Sequence, residues 1–454
     1  MAVGVRSASA ASGGSGPAGA PASGVGGARA RPTRRPERGA RHAWLARLES
    51  PLAAYYLVLG STVALVVIGL VMVLSSSSVE SLRETKLHSS YSVFTKQALF
   101  AGVGLPLAWL ASRIPLTGWR RLSWAMLVGS LGLLALVPLI GVSVNGNQNW
   151  IVVGGLTLQP SELAKLALLV WGATVLSAKQ QLLHSVPHVL VPVVPVAGVM
   201  LLLVLVGHDL GTAMILMAIV FGVLFAAGAP MRAFALVTAI AGGAVAVLVA
   251  TSPNRLGRIS SWLTGNPDTD YLGPAWQSTH GAFALATGGW WGVGLGASKE
   301  KWFWLPEAHN DFIFAIIGEE LGLPGTLAVL ALFALLGIGL LRLVVVTDEL
   351  FVKIATGGVL LWIVGQAVVN IGAVLGMLPV IGLPLPLVSS GGSALVMTMI
   401  ALGMVLGFAR RVPGAPEALT ARAGVVRRSL AVLPRRAGVA VTRHRSAPSR
   451  GGAR

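Results

Sequence analysis

Ten apolar runs set between two basic tails constrain this chain more than any other feature. They fall at about 55–74, 92–111, 122–141, 161–178, 189–206, 210–227, 232–250, 311–341, 354–378 and 393–409. A helix of about 20 residues crosses the ~30 Å hydrocarbon layer of a bilayer. Backbone polar groups in lipid must be satisfied within the segment, so runs of this length read as helices. The expected fold class is all-α: a polytopic membrane protein with ten transmembrane helices. The eighth and ninth runs are longer than one span, which predicts tilt or a kink. Composition agrees, with 54% hydrophobic residues, 11% charged and no cysteine. A soluble domain carries about 25% charged residues. A soluble enzyme, a disulfide scaffold and a disordered chain are therefore excluded.

The net charge of +18 sits in the tails. Residues 1–50 hold 8 Arg and 2 Glu, and residues 410–454 hold 11 Arg and 1 Glu. The tails lack the aromatic interleaving of a nucleic-acid reader, so no nucleic-acid partner is expected. Basic ends beside membrane spans place both termini in the cytoplasm, next to anionic lipid. Three parts follow. Residues 1–50, rich in Ala, Gly, Ser, Pro and Arg, form a disordered tail. Residues 51–410 form the membrane domain. Residues 411–454 form a second basic tail, where 418–433 could make a surface helix.

With that orientation, three outer segments stand out. Residues 145–160 are polar and glycine-rich. Residues 251–310 make one large extracellular loop, and loops that long are usually functional. It carries Trp262, Trp276, Trp290, Trp291, Trp302 and Trp304, which suit a membrane–water interface. Residues 383–393, LPLPLVSSGGS, interrupt regular helix before the tenth span.

Ionisable groups in spans are costly and so informative. Glu162 and Lys165 open the fourth span, three residues apart on one face. They read either as a structural ion pair or as a phosphate contact through Lys165. Asp209 precedes the sixth span and reads as a helix cap or a polar-cavity residue. Glu319 and Glu320 lie within the eighth span, Glu319 about 12 Å of helix rise from Asp311. The densest cluster, Trp304–Phe314, puts Glu307, His309 and Asp311 at the outer mouth of that span. Asp311 reads as an N-cap or as a carboxylate general base at the lipid–water boundary. Lys299, Lys301, Arg255 and Arg258 lie in the same loop and could hold a diphosphate leaving group. The sequence has no Walker or zinc-type spacing. A divalent cation, Mg or Mn, is expected only on charge grounds, with no ligand set to name.

Several strings together carry a resemblance. They are Leu158–Lys165, Asp209–Thr212, Gln277–Ala282, Gly288–Gly296, Leu305–Ala315, Gly318–Gly322 and Pro384–Ser393. In this order they resemble the SEDS family, the FtsW/RodA-type peptidoglycan glycosyltransferases. Met72–Val79 and Trp304–His309 resemble the division-type branch. Departures are His208, Gln148 with Asn149, and Ser390, where that family commonly has Pro, an Arg pair and an aromatic.

The resemblance implies a polymerase of lipid II, a disaccharide-pentapeptide on undecaprenyl diphosphate. The GlcNAc 4-hydroxyl of one unit attacks the MurNAc anomeric carbon of the growing strand. The lipid diphosphate leaves, with inversion to a β-1,4 bond. The essential carboxylate falls on Asp311. Ser389 and Ser390 fall in the structural Ser-Gly-Gly string. The implied partners are a class B penicillin-binding protein, which crosslinks the strands, and other division proteins at the septal plasma membrane. Two other readings stay open from the residues alone. A lipid flippase would share the spans, intramembrane acids and broken helices. A scaffold would use the basic tails but leave Asp311 without a task.

Overall fold

The computed structural model describes residues 52–84, 91–144, 147–154, 156–250, 256–257, 259–260, 262, 276–302 and 304–417. The expectations for residues 1–50, 418–433, Arg255 and Arg258 lie outside these residues. Each apolar run is a helix, the first continuing ten residues past its expected end at 74, to Glu84. In chain order the helices are α1 (Ala53–Glu84), α2 (Ser92–Ala111), α3 (Leu116–Ile140), α4 (Pro160–Ala178), α5 (Val186–Val206), α6 (Leu210–Ala226) and α7 (Met231–Ala250). Then come α8 (Trp276–Gly288), α9 (Ile313–Val346), α10 (Leu350–Val374) and α11 (Gly392–Ala409). Eight are long and apolar enough to cross a membrane, while α6 and α7 are shorter apolar helices.

One feature departs from the all-α expectation, and another from the reading of 251–310 as a plain loop. Residues 142–158 form a small antiparallel sheet, β1 (Val142–Val144), β2 (Asn147–Val153) and β3 (Leu156–Leu158), in that order. The Gly-Gly pair at 154–155 separates Val153 from its partner Leu156. Gly154 takes φ +59°, as a two-residue hairpin turn requires. The large loop also contains α8, which is too short to cross.

Small residues let the helices close on one another, since apolar burial offers little between helices in lipid. Gly403 and Gly407 of α11 lie on the Ala108 and Ser112 carbonyls of α2 and its end. Gly222 of α6 meets Gly357 of α10, and Gly339 of α9 meets Leu57 and Val58 of α1. The most buried helices are α4, α10 and α11.

Charged groups mark one end of the bundle. There Arg410 donates to the Tyr55 hydroxyl at 2.9 Å, and Arg120 pairs with Glu349. From Tyr55 to Ser75 along α1 is about 30 Å. Ser75 therefore stands one hydrocarbon thickness, ~30 Å, from Tyr55. Asn370 lies deeper, since Gly339 of α9 packs on Leu57 and Val58 of α1 but Gly337 packs on Leu360 and Val364 of α10.

The expected kink in the eighth run is at Gly322, with φ +66° and ψ −160°. Pro324 follows and could not continue the hydrogen-bond ladder back across the break. From Gly322 to Val346 is about 36 Å, a full crossing by itself. Ile313–Leu321 is thus extra length. Its two ends reach Ser75, through Glu320, and Asn370, through Asp311. Ser75 stands above Asn370, so the segment climbs from its Asp311 end toward the boundary. The Glu319 and Glu320 carbonyls freed by the kink accept from Val293 and Gly294 N–H at 2.9 and 3.0 Å. Gly322 also leaves no room for a Cβ beside Gly292 and Trp291 backbone. Its φ/ψ region is essentially glycine-only, at a cost of about 1–3 kcal/mol for another residue. Gly322→Ala is expected to lower the thermal unfolding midpoint in detergent. An unchanged midpoint would mean that the kink tolerates a side chain.

Candidate functional site

Two interrupted segments meet below the level of Ser75, where Leu387 and Val388 pack on Gly69 of α1. One is the strap Leu305–Phe312, before α9. The other is residues 380–391, before α11. The Ser390 N–H donates to the His309 carbonyl at 3.0 Å. The Ser389 hydroxyl donates to the Asn310 carbonyl at 2.6 Å and accepts from the Leu385 N–H at 2.7 Å. Buried amides from neighbouring helices satisfy the broken backbone, as irregular chain at membrane depth requires. Asn370 of α10 donates to the Asp311 carbonyl at 2.7 Å and the Leu383 carbonyl at 2.6 Å. Gln97 of α2 donates to the Ser389 carbonyl at 3.1 Å and accepts from the Gly391 N–H at 3.2 Å. Gln366 of α10 donates to the Pro384 carbonyl at 2.8 Å. Two non-glycine residues here take positive φ, Glu307 at +56° and Leu387 at +66°. Such strain collects where surrounding structure over-determines a site.

Asp311 is half-buried and lines a small cleft. Phe312, Val369, Asn370, Ala373 and Gly382 form other parts of its wall. Its backbone carbonyl is held by Asn370, which ties the strap to α10. A Cβ on Gly382 would come within 3.4 Å of Asp311 Oδ2. The glycine keeps the carboxylate uncrowded. His309 and Glu307 are half-buried in the same strap, and Glu307 accepts from the Asn310 amide at 3.3 Å. Asn370→Leu would remove both carbonyl contacts. A displacement of about 1 Å can cost 10²-fold in rate. This variant should therefore lose one to two orders of magnitude in turnover, read as product formed per enzyme under saturating substrate.

The other candidate residues fall into separate places. Glu162 and Lys165 pair at 2.8 Å, both buried, with Lys165 Nζ 5.2 Å from the Trp362 ring centroid. They line a second small cavity with Gln366, Leu385 and Ser389, and Glu162 Oε2 has no hydrogen-bond partner there. Asp209 caps α6 through the Thr212 N–H at 2.8 Å and also accepts from Gln159 at 3.0 Å. Glu319 accepts from the Ser298 hydroxyl and from the Lys299 N–H at 2.8 Å. The Lys299 side chain is exposed.

Lys301 is buried and pairs with Glu320 at 3.1 Å. It also donates to the Gly296 carbonyl at 2.7 Å. Ser75 of α1 donates to both Glu320 oxygens, at 2.7 and 2.6 Å. Ser75, Gln97, Asn370 and Gln366 carry this architecture, yet the sequence reading did not select them. The one local signal was an uncharged polar residue inside an apolar run, which is far weaker than an isolated charge. Among the described residues no three His, Cys, Asp or Glu side chains converge. The described residues therefore offer no fit to a resident divalent cation.

The comparisons with known proteins agree with this geometry. A family model described as "Cell cycle protein", of FtsW, RodA and SpoVE, matches residues 56–412. A probable peptidoglycan glycosyltransferase FtsW of Mycobacterium tuberculosis is 39% identical over 84% of this chain and 71% of its own length. The stage V sporulation protein E of Bacillus subtilis is 36% identical over 77% of this chain and 95% of its own. A solved structure titled for coordination of polymerization and crosslinking by a peptidoglycan synthase complex is 30% identical. It matches with TM-score 0.63 over 78% of this chain and 97% of that one. The rod shape determining protein RodA of Thermus thermophilus, 26% identical, matches with TM-score 0.57 over 79% and 97%. The motif strings, the broken helices around Asp311 and these matches converge: the chain belongs to the FtsW/RodA/SpoVE family of multi-pass membrane cell cycle proteins.

Proposed function

We propose that the chain is a peptidoglycan glycosyltransferase that polymerises lipid II during septal wall synthesis. One observation carries the chemistry. Asp311 lines a cleft just inside the hydrocarbon boundary that Ser75 marks, while its main chain is pinned by Asn370. A lipid-linked sugar donor has its reacting carbon just outside that boundary and its tail inside. Asp311 takes the proton of the attacking GlcNAc 4-hydroxyl as O4 bonds to the MurNAc anomeric carbon. The lipid diphosphate departs from that carbon on the opposite face. Exposed Lys299, with Arg255 and Arg258 of the same loop, supplies positive charge for the diphosphate. Glu307 and His309 border the acceptor. Lys165 and Lys301 would have to leave Glu162 and Glu320 to touch a phosphate. In this reading Mg or Mn enters with the diphosphate, as such ions commonly do.

The ten helices all cross, with both termini in the cytoplasm and the Asp311 end outside. A class B penicillin-binding protein crosslinks the strands, within a larger division assembly. The test is polymerisation of labelled lipid II by the purified full chain with its transpeptidase partner. Glycan strands support the reading. No strands from an intact complex, together with lipid II transfer across liposomes, would replace it with a flippase.

A further inference from the structure

The loop carrying α8 is a closed hairpin. α8 runs beside Ile313–Leu321 in the same direction: Gly281 lies on the Phe312 ring, Leu285 on Gly318 and Gly292 on the Glu320 backbone. The chain then turns back through glycines of positive φ, Gly289, Gly292, Gly294 and Gly296. At the open end the Trp276 indole N–H donates to the Trp304 carbonyl at 2.7 Å, and the two rings stack. At the tip stand Trp290 and Trp291, 75% and 85% exposed, with Leu295 also exposed.

This tip cannot fold inward to hide its indoles. Val293 and Gly294 are bonded to the α9 kink, and Leu323 N–H donates back to the Gly289 carbonyl at 3.1 Å. The return limb is locked by the buried Glu319–Ser298 and Glu320–Lys301 contacts. The kink that holds the tip is level with Ser75, about 30 Å from the charged end of the bundle. Two rigidly presented tryptophans therefore stand at the height of the lipid headgroups, where an amphipathic indole is most favourably placed.

We propose that Trp290 and Trp291 are a lipid-surface anchor. They insert into the headgroup layer at the Asp311 end and fix the depth of the strap that carries Asp311. The partner is the bilayer itself, and the inference does not depend on which reaction Asp311 performs.

The full chain in phosphatidylcholine–phosphatidylglycerol nanodiscs tests this without an activity readout. The chain has no cysteine, so Trp291→Cys carries its only thiol. A nitroxide there is compared for collisions with oxygen, which partitions into lipid, and with a water-soluble nickel chelate. Asp348→Cys, on the exposed connection between α9 and α10, is the aqueous reference, and Val128→Cys, exposed on α3, the lipid reference. An oxygen-to-nickel ratio several-fold above that of Asp348→Cys is expected. A ratio equal to it overturns the anchor. A second readout needs no thiol. Lipids brominated on their acyl chains should quench wild-type tryptophan fluorescence by a larger fraction than that of Trp290→Phe/Trp291→Phe. Equal fractions overturn the anchor. A label that is aqueous in empty discs and shielded only on adding glycan strands or the transpeptidase would assign the tip to that ligand instead.

Discussion

Asp311→Ala and Asp311→Asn should abolish glycan polymerisation while leaving the protein folded and its partner bound. A positioned general base contributes about 10²–10⁴-fold. The loss should fall in or above that range, because among the described residues the carboxylate is the only acidic side chain lining the cleft. Asn is the sharper substitution. It keeps the shape and polarity of Asp311 but does not accept the proton. The strap should survive both changes, since its bonds run through backbone: Asn370 to the Asp311 carbonyl, Ser389 to the Asn310 carbonyl and Ser390 to the His309 carbonyl. Labelled lipid II resolved by chain length, beside thermal unfolding of each variant, checks the prediction. Strands from Asp311→Asn at a tenth or more of the wild-type rate would place the base elsewhere. Glu307, half-buried in the same strap, would be tested next.

The spans were legible because a 20-residue apolar run leaves the backbone one solution in lipid. The kink was legible as excess length in the eighth run, though not its position. Gly322 is one of 57 glycines, and only its contact with Trp291 and Gly292 distinguishes it. Asp311 was visible as an acid at the mouth of a span, and the motif strings sharpened that reading. What holds it was not visible. Asn370 lies 59 positions away in sequence and Gln97 about 290 from the segment it binds. No local pattern pairs such residues, since their partners are carbonyls, which every residue has. The small sheet at 142–158 was hidden for a related reason. Its strands are short, and strand pairing depends more on context than helix formation does. Glu319 and Glu320 were visible as charges in a span, but their different partners, Ser298 on one side and Ser75 with Lys301 on the other, exist only once the hairpin has folded back.

Lys301→Met should be strongly destabilising. Removing one partner of a buried pair typically costs about 3–5 kcal/mol, because the other charge stays buried. Here that charge is Glu320, left with the Ser75 hydroxyl alone among its side-chain partners. Glu320→Gln should cost less, since an amide still bonds Ser75 and leaves Lys301 its carbonyl contact to Gly296. The double variant Lys301→Met/Glu320→Gln should recover most of the loss, because no unpaired charge remains. Thermal unfolding in detergent gives all four corners of the cycle, and a positive coupling between the two changes is the expected result. Polymerisation should fall with Lys301→Met and return in part with the double variant, because the pair ties the 296–301 limb to α1 and α9, and that limb leads directly into the strap. Additive effects of the two substitutions would mean that Lys301 and Glu320 do not depend on each other. Lys301 would then be available to a diphosphate, and its loss should raise KM for lipid II without lowering the unfolding temperature.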